Sequence, residues 1–208
     1  MGSWMMHVII ANKVAGKLPN RDKKALLLGG IAPDAVHGQS KVLSHFYEGD
    51  HENYSRNIAA ETFYKKYGTY KDIDYILGYY IHLISDDLWL KGFYLPWLKN
   101  RMEHDKELFH RYHHDFQLLN GKLINHYKVD LRIFEDVENR KIPDLEEVSA
   151  EQVKRLLTQV RSHWDNDGDI SQNSLQVFTL EQIVGYIETS VEISMYFLNE
   201  KGYVTTWK

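Results

Sequence analysis

The chain has 208 residues, enough for one ordinary hydrophobic core without staples. Its apolar fraction of 43% and charged fraction of 26% are those of a globular protein, and a net charge of −4 offers no basic field for nucleic acid or anionic lipid. With no cysteine at all, disulfides, thiolate metal sites and a cysteine nucleophile are excluded together.

Eleven histidines are present, most of them between residues 37 and 126, so any transition-metal site must be built from imidazole and carboxylate. The start, MGSWMMHVIIANKVAGK, reaches Asn12 and Lys13 too early for a signal peptide. No run approaches the roughly 20 apolar residues of a membrane span, so no membrane anchor is expected and the cytoplasm is the default compartment.

Helical periodicity runs through the chain and predicts one all-α domain, a multi-helix bundle. The first helix covers about Trp4 to Leu18, where Trp4, Val8, Ala11, Val14, Ala15 and Leu18 form one stripe that also contains His7. A second covers about Arg21 to Gly29, and Gly29-Gly30 then releases the chain into IAPDAVHGQS, a stretch of turn chemistry punctuated by Pro33 and Gly38. Asp50 is placed to cap a helix from His51 to Tyr67, ended by Gly68. The next helix runs from Ile73 to Lys91, and another from Lys99 to Asn120 with Gly121 behind it. Residues 129 to 148 are charged, broken by Pro143, and read as a surface excursion in which VDLRIFEDV could form a strand. Two late helices, 150 to 164 and 180 to 200, each open on a capping box: Ser149 with Gln152, and Thr179 with Gln182. Between them DNDGDISQNS resembles part of a calcium loop but lacks its closing glutamate, and reads as a plain loop.

The helix from Ile73 to Lys91 carries the chemistry. Ile73, Ile76, Leu77, Tyr80, Ile81, Ile84 and Leu88 fill one side, and Tyr75, Tyr79, His82, Asp86 and Trp89 the other. A helix apolar or aromatic all round is buried all round. His82 and Asp86, four apart, therefore point together into a buried space, where an ionised carboxylate must be paired or bind a metal. Two readings stand at this point: a His–Asp hydrogen bond within the core, or imidazole and carboxylate offered to one ion. His7, on an apolar stripe, Asp34, in a Gly/Pro-bounded turn, and His45, opening SHFYEGD, each have an ordinary structural reading as well.

Taken in order, WMMHVIIA, LLLGGIAPDA, SHFYEGD and GYYIHLISDD resemble the zinc-dependent phospholipase C-like proteins over residues 4 to 90. The resemblance implies a phospholipase C/P1 nuclease-like all-α bundle with a metal site between helices, and His7, Asp34, His45, His82 and Asp86 as ligands. It implies one or two divalent ions, zinc first, with manganese, iron, cobalt or nickel also suited to such donors. The secreted members begin at their tryptophan and add further histidines after the HxxxD. Here Trp4 has residues before it and Asp86 is followed by WLKGFYLPW, so packing beside the site suits Trp4 and a one- or two-metal site suits the chain.

In MEHDKELFHRYHHDFQLLN the buried stripe is Met102, Leu108, Phe109, Tyr112, Phe116 and Leu119, which leaves His110 and His114 opposite it. Asp115 and His104 flank the stripe, and Asp115 is a further candidate ligand or a partner orienting a histidine. The resemblance points to hydrolysis of a small-molecule phosphoester, with Asp34 as the residue that orients or deprotonates water and with Tyr75, Tyr79 and Trp89 around the pocket. An HD-type phosphohydrolase, built on an adjacent His-Asp pair such as His104-Asp105 or His114-Asp115, is the alternative among hydrolases. A metal-dependent sensor without turnover and a metal-free helical interaction domain are the alternatives outside them.

Overall fold

The computed structural model describes residues 3–130, 132, 140–164 and 173–204. The segments VDLRIFEDV and DNDGDISQNS lie largely outside these. Among the described residues the fold is a multi-helix arrangement with one two-stranded ribbon: α1 (Trp4–Lys17), α2 (Lys23–Ile31), a 3-10 turn (Ala32–Ala35), α3 (Ser40–Ser44), β1 (Tyr47–Glu48), β2 (Asn57–Ile58), α4 (Ala60–Tyr67), α5 (Ile73–Trp89), a π-helical segment (Leu90–Leu98), α6 (Lys99–His104), α7 (Lys106–Tyr127), α8 (Ala150–Trp164) and α9 (Leu180–Glu200).

Helix α5 is the axis of this arrangement. It packs most extensively on α2 and also contacts α1, α4 and α9. Thirteen of its residues are buried, from Tyr75 to Trp89, as its all-round apolar character requires. The contact with α2 is unusually close because glycine stands on both sides of it. A Cβ on Gly78 would lie 2.0 Å from the Leu26 carbonyl oxygen, and one on Gly29 would lie 1.9 Å from the Tyr75 carbonyl oxygen. The two backbones touch where any side chain would hold them apart.

Several element boundaries depart from the expectation. Residues 51–54 are turns rather than helix, and α4 begins only at Ala60. Asp50 caps a local turn instead, accepting from the Glu52 N–H at 2.9 Å. Gly49, at φ +73°, turns the chain so that Tyr47 pairs with Ile58 and Glu48 with Asn57 in antiparallel register. The long helix expected over Lys99 to Asn120 is two helices. Asp105 adopts extended backbone and its carboxylate caps α7 through the Glu107 and Leu108 N–H groups, a signal that the apolar period alone hides. At the other end α7 runs through Gly121 to Tyr127 and stops where Lys128 turns left-handed.

Residues 140–148 are not a plain surface excursion. Ile142, Leu145 and Val148 are buried, and Lys66 and Tyr67 of α4 hold Glu147 at 2.7 and 2.8 Å. The two late helices open as expected, with both halves of each capping box formed. No helix among the described residues is long and apolar enough to cross a membrane.

The α2–α5 approach yields a direct test. Gly78→Ala should destabilise the protein by about 1–3 kcal/mol, because the added methyl meets backbone that cannot rotate away. Urea denaturation measures this; an unchanged midpoint would show that the helices separate freely.

Candidate metal centre

Five of the six singled-out residues meet at the centre of the helical arrangement. His7 comes from α1, Asp34 from the 3-10 turn after α2, His45 from the residue that ends α3, and His82 and Asp86 from α5. His7 Nε2 lies 3.3 Å from Asp86 Oδ1 and 4.0 Å from Asp34 Oδ2. His45 Nε2 lies 3.4 Å from Asp86 Oδ2 and 3.5 Å from Asp34 Oδ1, and His82 Nε2 is 3.5 Å from Asp86 Oδ2. Two overlapping triads, His7–Asp34–His82 and His45–His82–Asp86, bring their ligand atoms within 4.8 Å of one another. The His7 and His82 rings stack with centroids 3.7 Å apart.

What these histidines offer the centre follows from their outer nitrogens. His82 Nδ1 is 2.8 Å from the Gly30 carbonyl oxygen, an acceptor only, so Nδ1 carries the proton. Ser44 Oγ donates its own proton to the Pro33 carbonyl at 2.9 Å; it can therefore only accept from His45 Nδ1, also at 2.9 Å. Ser85 Oγ likewise donates to the His82 carbonyl at 2.8 Å and accepts from His7 Nδ1 at 3.2 Å. All three imidazoles are thus held with Nδ1 protonated and the Nε2 lone pair turned inward. None of the three Nε2 atoms, all buried, has a hydrogen-bond partner.

Three lone pairs therefore face two carboxylates, Asp86 wholly buried and Asp34 nearly so. Acceptors facing acceptors repel unless a cation or protons lie between them. Burial pushes both carboxylates up, yet the surrounding positive groups outweigh it and hold both well below the ordinary carboxylate range. The Lys41 ammonium acts on Asp34 throughout; His45 and His82 add to it, and His7 and His45 act on Asp86, whenever those imidazoles carry a second proton. Burial and the charge of His7 push His82 down to about 4, leaving it a neutral ligand at pH 7. His45 is pulled down by burial and raised, on balance, by Asp34 and Asp86, so a proton competes with a metal for its Nε2. The donor set, its orientation and its orphaned lone pairs fit a divalent transition-metal ion.

Asp115 is not part of this cluster. It is wholly buried, but its carboxylate accepts the N–H groups of Gln176, Val177 and Phe178 at 2.7–3.1 Å and pins the segment that leads into α9. That anchoring satisfies it without a metal. His110 and His114 are exposed, as is His104, whose Nδ1 bonds the Asn100 carbonyl at 2.8 Å. Neither adjacent His-Asp pair of α6 and α7 reaches the centre. The aromatic expectation is also corrected. Tyr79 stacks on Phe63 at 4.3 Å and donates to the Ser44 carbonyl at 2.6 Å, Tyr75 is buried, and Trp89 lies in a cluster with Phe93, Phe116, Phe178 and Tyr186.

The walls of the adjoining cavity are other residues. It has a volume of about 560 Å³, meets the cluster at His45 and Lys41, and is lined further by Tyr47, Arg56, Tyr94, Lys99 and Tyr112. Phe46, at φ +50°, redirects the chain from α3 into β1, and the His45 and Tyr47 rings on either side of it stack 5.6 Å apart at the cavity. Arg56 lies over the Tyr47 ring at 4.1 Å. The ribbon is tied to α5 by Asp87, which accepts the Ile58 N–H at 3.1 Å. Lys41, Ser44 and Ser85 escaped the sequence reading, although each stands within four residues of a ligand: Lys41 and Ser44 before His45, and Ser85 between His82 and Asp86.

Comparison with known proteins returns no match among family models, curated proteins or solved structures.

Two substitutions separate metal orientation from anchoring. Ser44→Ala removes the acceptor that fixes His45 and should weaken metal affinity by about 10- to 100-fold, read by chelator competition. Asp115→Ala should instead lower stability by about 3 kcal/mol and leave metal affinity in the folded protein unchanged; denaturant melts and the same chelator assay tell the two apart.

Proposed function

We propose that the protein is a divalent-metal-dependent hydrolase of phosphoric esters, with His7, Asp34, His45, His82 and Asp86 as the ligand set and zinc as the first candidate ion. The observation that carries this reading is a buried cage of three inward imidazole lone pairs and two carboxylates, bordering a cavity lined by Lys41, Arg56 and Lys99. The cage suits a divalent ion; the cavity is largely apolar, with Lys99 paired to Glu103, and Lys41 and Arg56 are the cations on its wall that suit an anionic group. The four segments that resemble the zinc-dependent phospholipase C-like proteins supply all five ligands in the same order, which favours that bundle arrangement and chemistry on phosphorus.

When bound, a divalent ion supplies a water of lowered pKa and positive charge for phosphoryl oxygens. The chain's own residues do the rest. The Nδ1 partners Gly30, Ser44 and Ser85 hold the imidazoles in the ligating tautomer, so little reorganisation accompanies binding. Burial by α1, α5 and α9 keeps bulk water from the inner side, with Tyr186 of α9 donating to the Ser85 carbonyl at 3.1 Å. The cavity admits the substrate from the α3–ribbon side. Hydrolysis forms a bond from the water oxygen to phosphorus, breaks the ester P–O bond, and leaves a proton on the departing oxygen. Asp34, expected from the sequence to orient or deprotonate that water, has Oδ1 3.0 Å from Lys41 Nζ and Oδ2 4.0 Å from His7 Nε2, which supports a role in ligation and orientation.

Metal content by mass spectrometry, on protein purified without a histidine tag, tests the reading together with turnover of p-nitrophenyl phosphate and bis-p-nitrophenyl phosphate. One or two equivalents of a transition metal, lost in His82→Ala along with turnover, is the expected result. A folded wild type that takes up no metal after incubation with zinc or manganese would sink the proposal, and a metal-loaded protein inactive on both esters would remove the phosphoester half of it.

A further inference from the structure

Lys41 touches both the cage and the cavity. Its Nζ lies 3.0 Å from Asp34 Oδ1, and its side chain, 40% exposed, also lines the cavity wall. This follows from α3: Lys41 and His45 are four residues apart, so one turn delivers an ammonium and an imidazole to the same face. The other two cations of the cavity are engaged elsewhere. Lys99 Nζ is 2.6 Å from Glu103 and lies over the Tyr54 ring, and Arg56 stacks on Tyr47.

We propose that Lys41 is a catalytic residue of the hydrolase, its ammonium receiving a phosphoryl oxygen of the substrate and standing where a second metal ion would otherwise be needed. The inference rests on the phosphoester reading above and deepens it. An ammonium has three N–H donors. One goes to Asp34 Oδ1, and two remain for the cavity side. Asp34 Oδ2 lies 4.0 Å from His7 Nε2, while Oδ1 holds the lysine and lies 3.5 Å from His45 Nε2. One carboxylate thereby fixes the ammonium beside the ion, and a phosphoryl group reaching the ion from the cavity meets Lys41 as it arrives. No bond to the lysine forms or breaks; it binds the anion and balances charge as the ester oxygen departs. With that place taken by an ammonium, the cage holds one ion rather than two.

The test compares wild type, Lys41→Met and Lys41→Arg after zinc loading and removal of excess metal. Metal content is measured by mass spectrometry and inorganic phosphate binding by calorimetry. The expected result is one equivalent of zinc in all three proteins, with phosphate affinity at least about tenfold weaker in Lys41→Met and partly restored in Lys41→Arg. The kcat/KM for p-nitrophenyl phosphate should fall in the same order. Unchanged phosphate affinity in zinc-loaded Lys41→Met would overturn the inference while leaving the hydrolase reading intact. Loss of zinc from both variants would overturn it too, showing that Lys41 only completes the cage, as would two equivalents of zinc in the wild type. A zinc-loaded wild type with no affinity for phosphate would remove the phosphoester reading and this inference together.

Discussion

The close crossing of α2 and α5 is the constraint on which the site depends. Gly29 and Gly78 let the two backbones meet without intervening side chains, which places the Gly30 carbonyl within 2.8 Å of His82 Nδ1. Moving the helices apart by the width of a methyl group would break that hydrogen bond and free the ring. The same approach sets the start of the 3-10 turn, and with it the position of Asp34 relative to Asp86. Packing and ligand geometry are one requirement here: the helices are joined most tightly at the point where the imidazole must be aimed.

Around this crossing the protein spends its buried polar groups on orientation. Ser44 and Ser85 each give their own proton to a backbone carbonyl and accept one from a histidine, so the hydrogen-bond direction runs outward from the centre in all three cases. The inner nitrogens are left as lone pairs against two carboxylates. The three inner nitrogens are unfavourable by themselves, since buried acceptors without donors lose solvation and gain nothing. A divalent cation reverses the sign of every one of these interactions at once. The protein that holds it would be more stable than the one that does not, and the ion would be retained by orientation built in before it arrives.

The short segment from Ser40 to Ile58 joins this centre to the outside. Within it, one helical turn carries Lys41, Ser44 and His45, a left-handed Phe46 redirects the chain, and a two-residue ribbon places Tyr47 and Arg56 on the cavity. Asp87, adjacent in sequence to a cage carboxylate, secures the ribbon from α5. Lys41 and Arg56 bring positive charge to this largely apolar cavity locally, set against a chain of net charge −4. Any attraction for an anionic substrate acts at the cavity and not over the whole surface.

How far the sequence alone reaches can be judged from particular residues. The all-helical character and the burial of α5 were legible because apolar residues occupy every face of that helix, and the two late capping boxes because their partners sit three residues apart. His82 and Asp86 were legible as a pair for the same local reason. Asp115, beside the buried stripe of its helix, read as a further ligand or a partner for a histidine, yet its partners are the N–H groups of residues 176–178, about sixty positions along the chain. Nothing local reveals those partners. The same holds for Tyr75, Tyr79 and Trp89, whose helix face was readable but whose neighbours were not. The sequence by itself determined helix periods, caps and a short set of residues able to hold a metal, because those depend on spacings within a few residues. Only the tertiary structure decided which carboxylates face the imidazoles, which nitrogen of each ring is free, and that Lys41 joins the cage to the cavity, because those depend on groups brought together by the crossing of α2, α3 and α5.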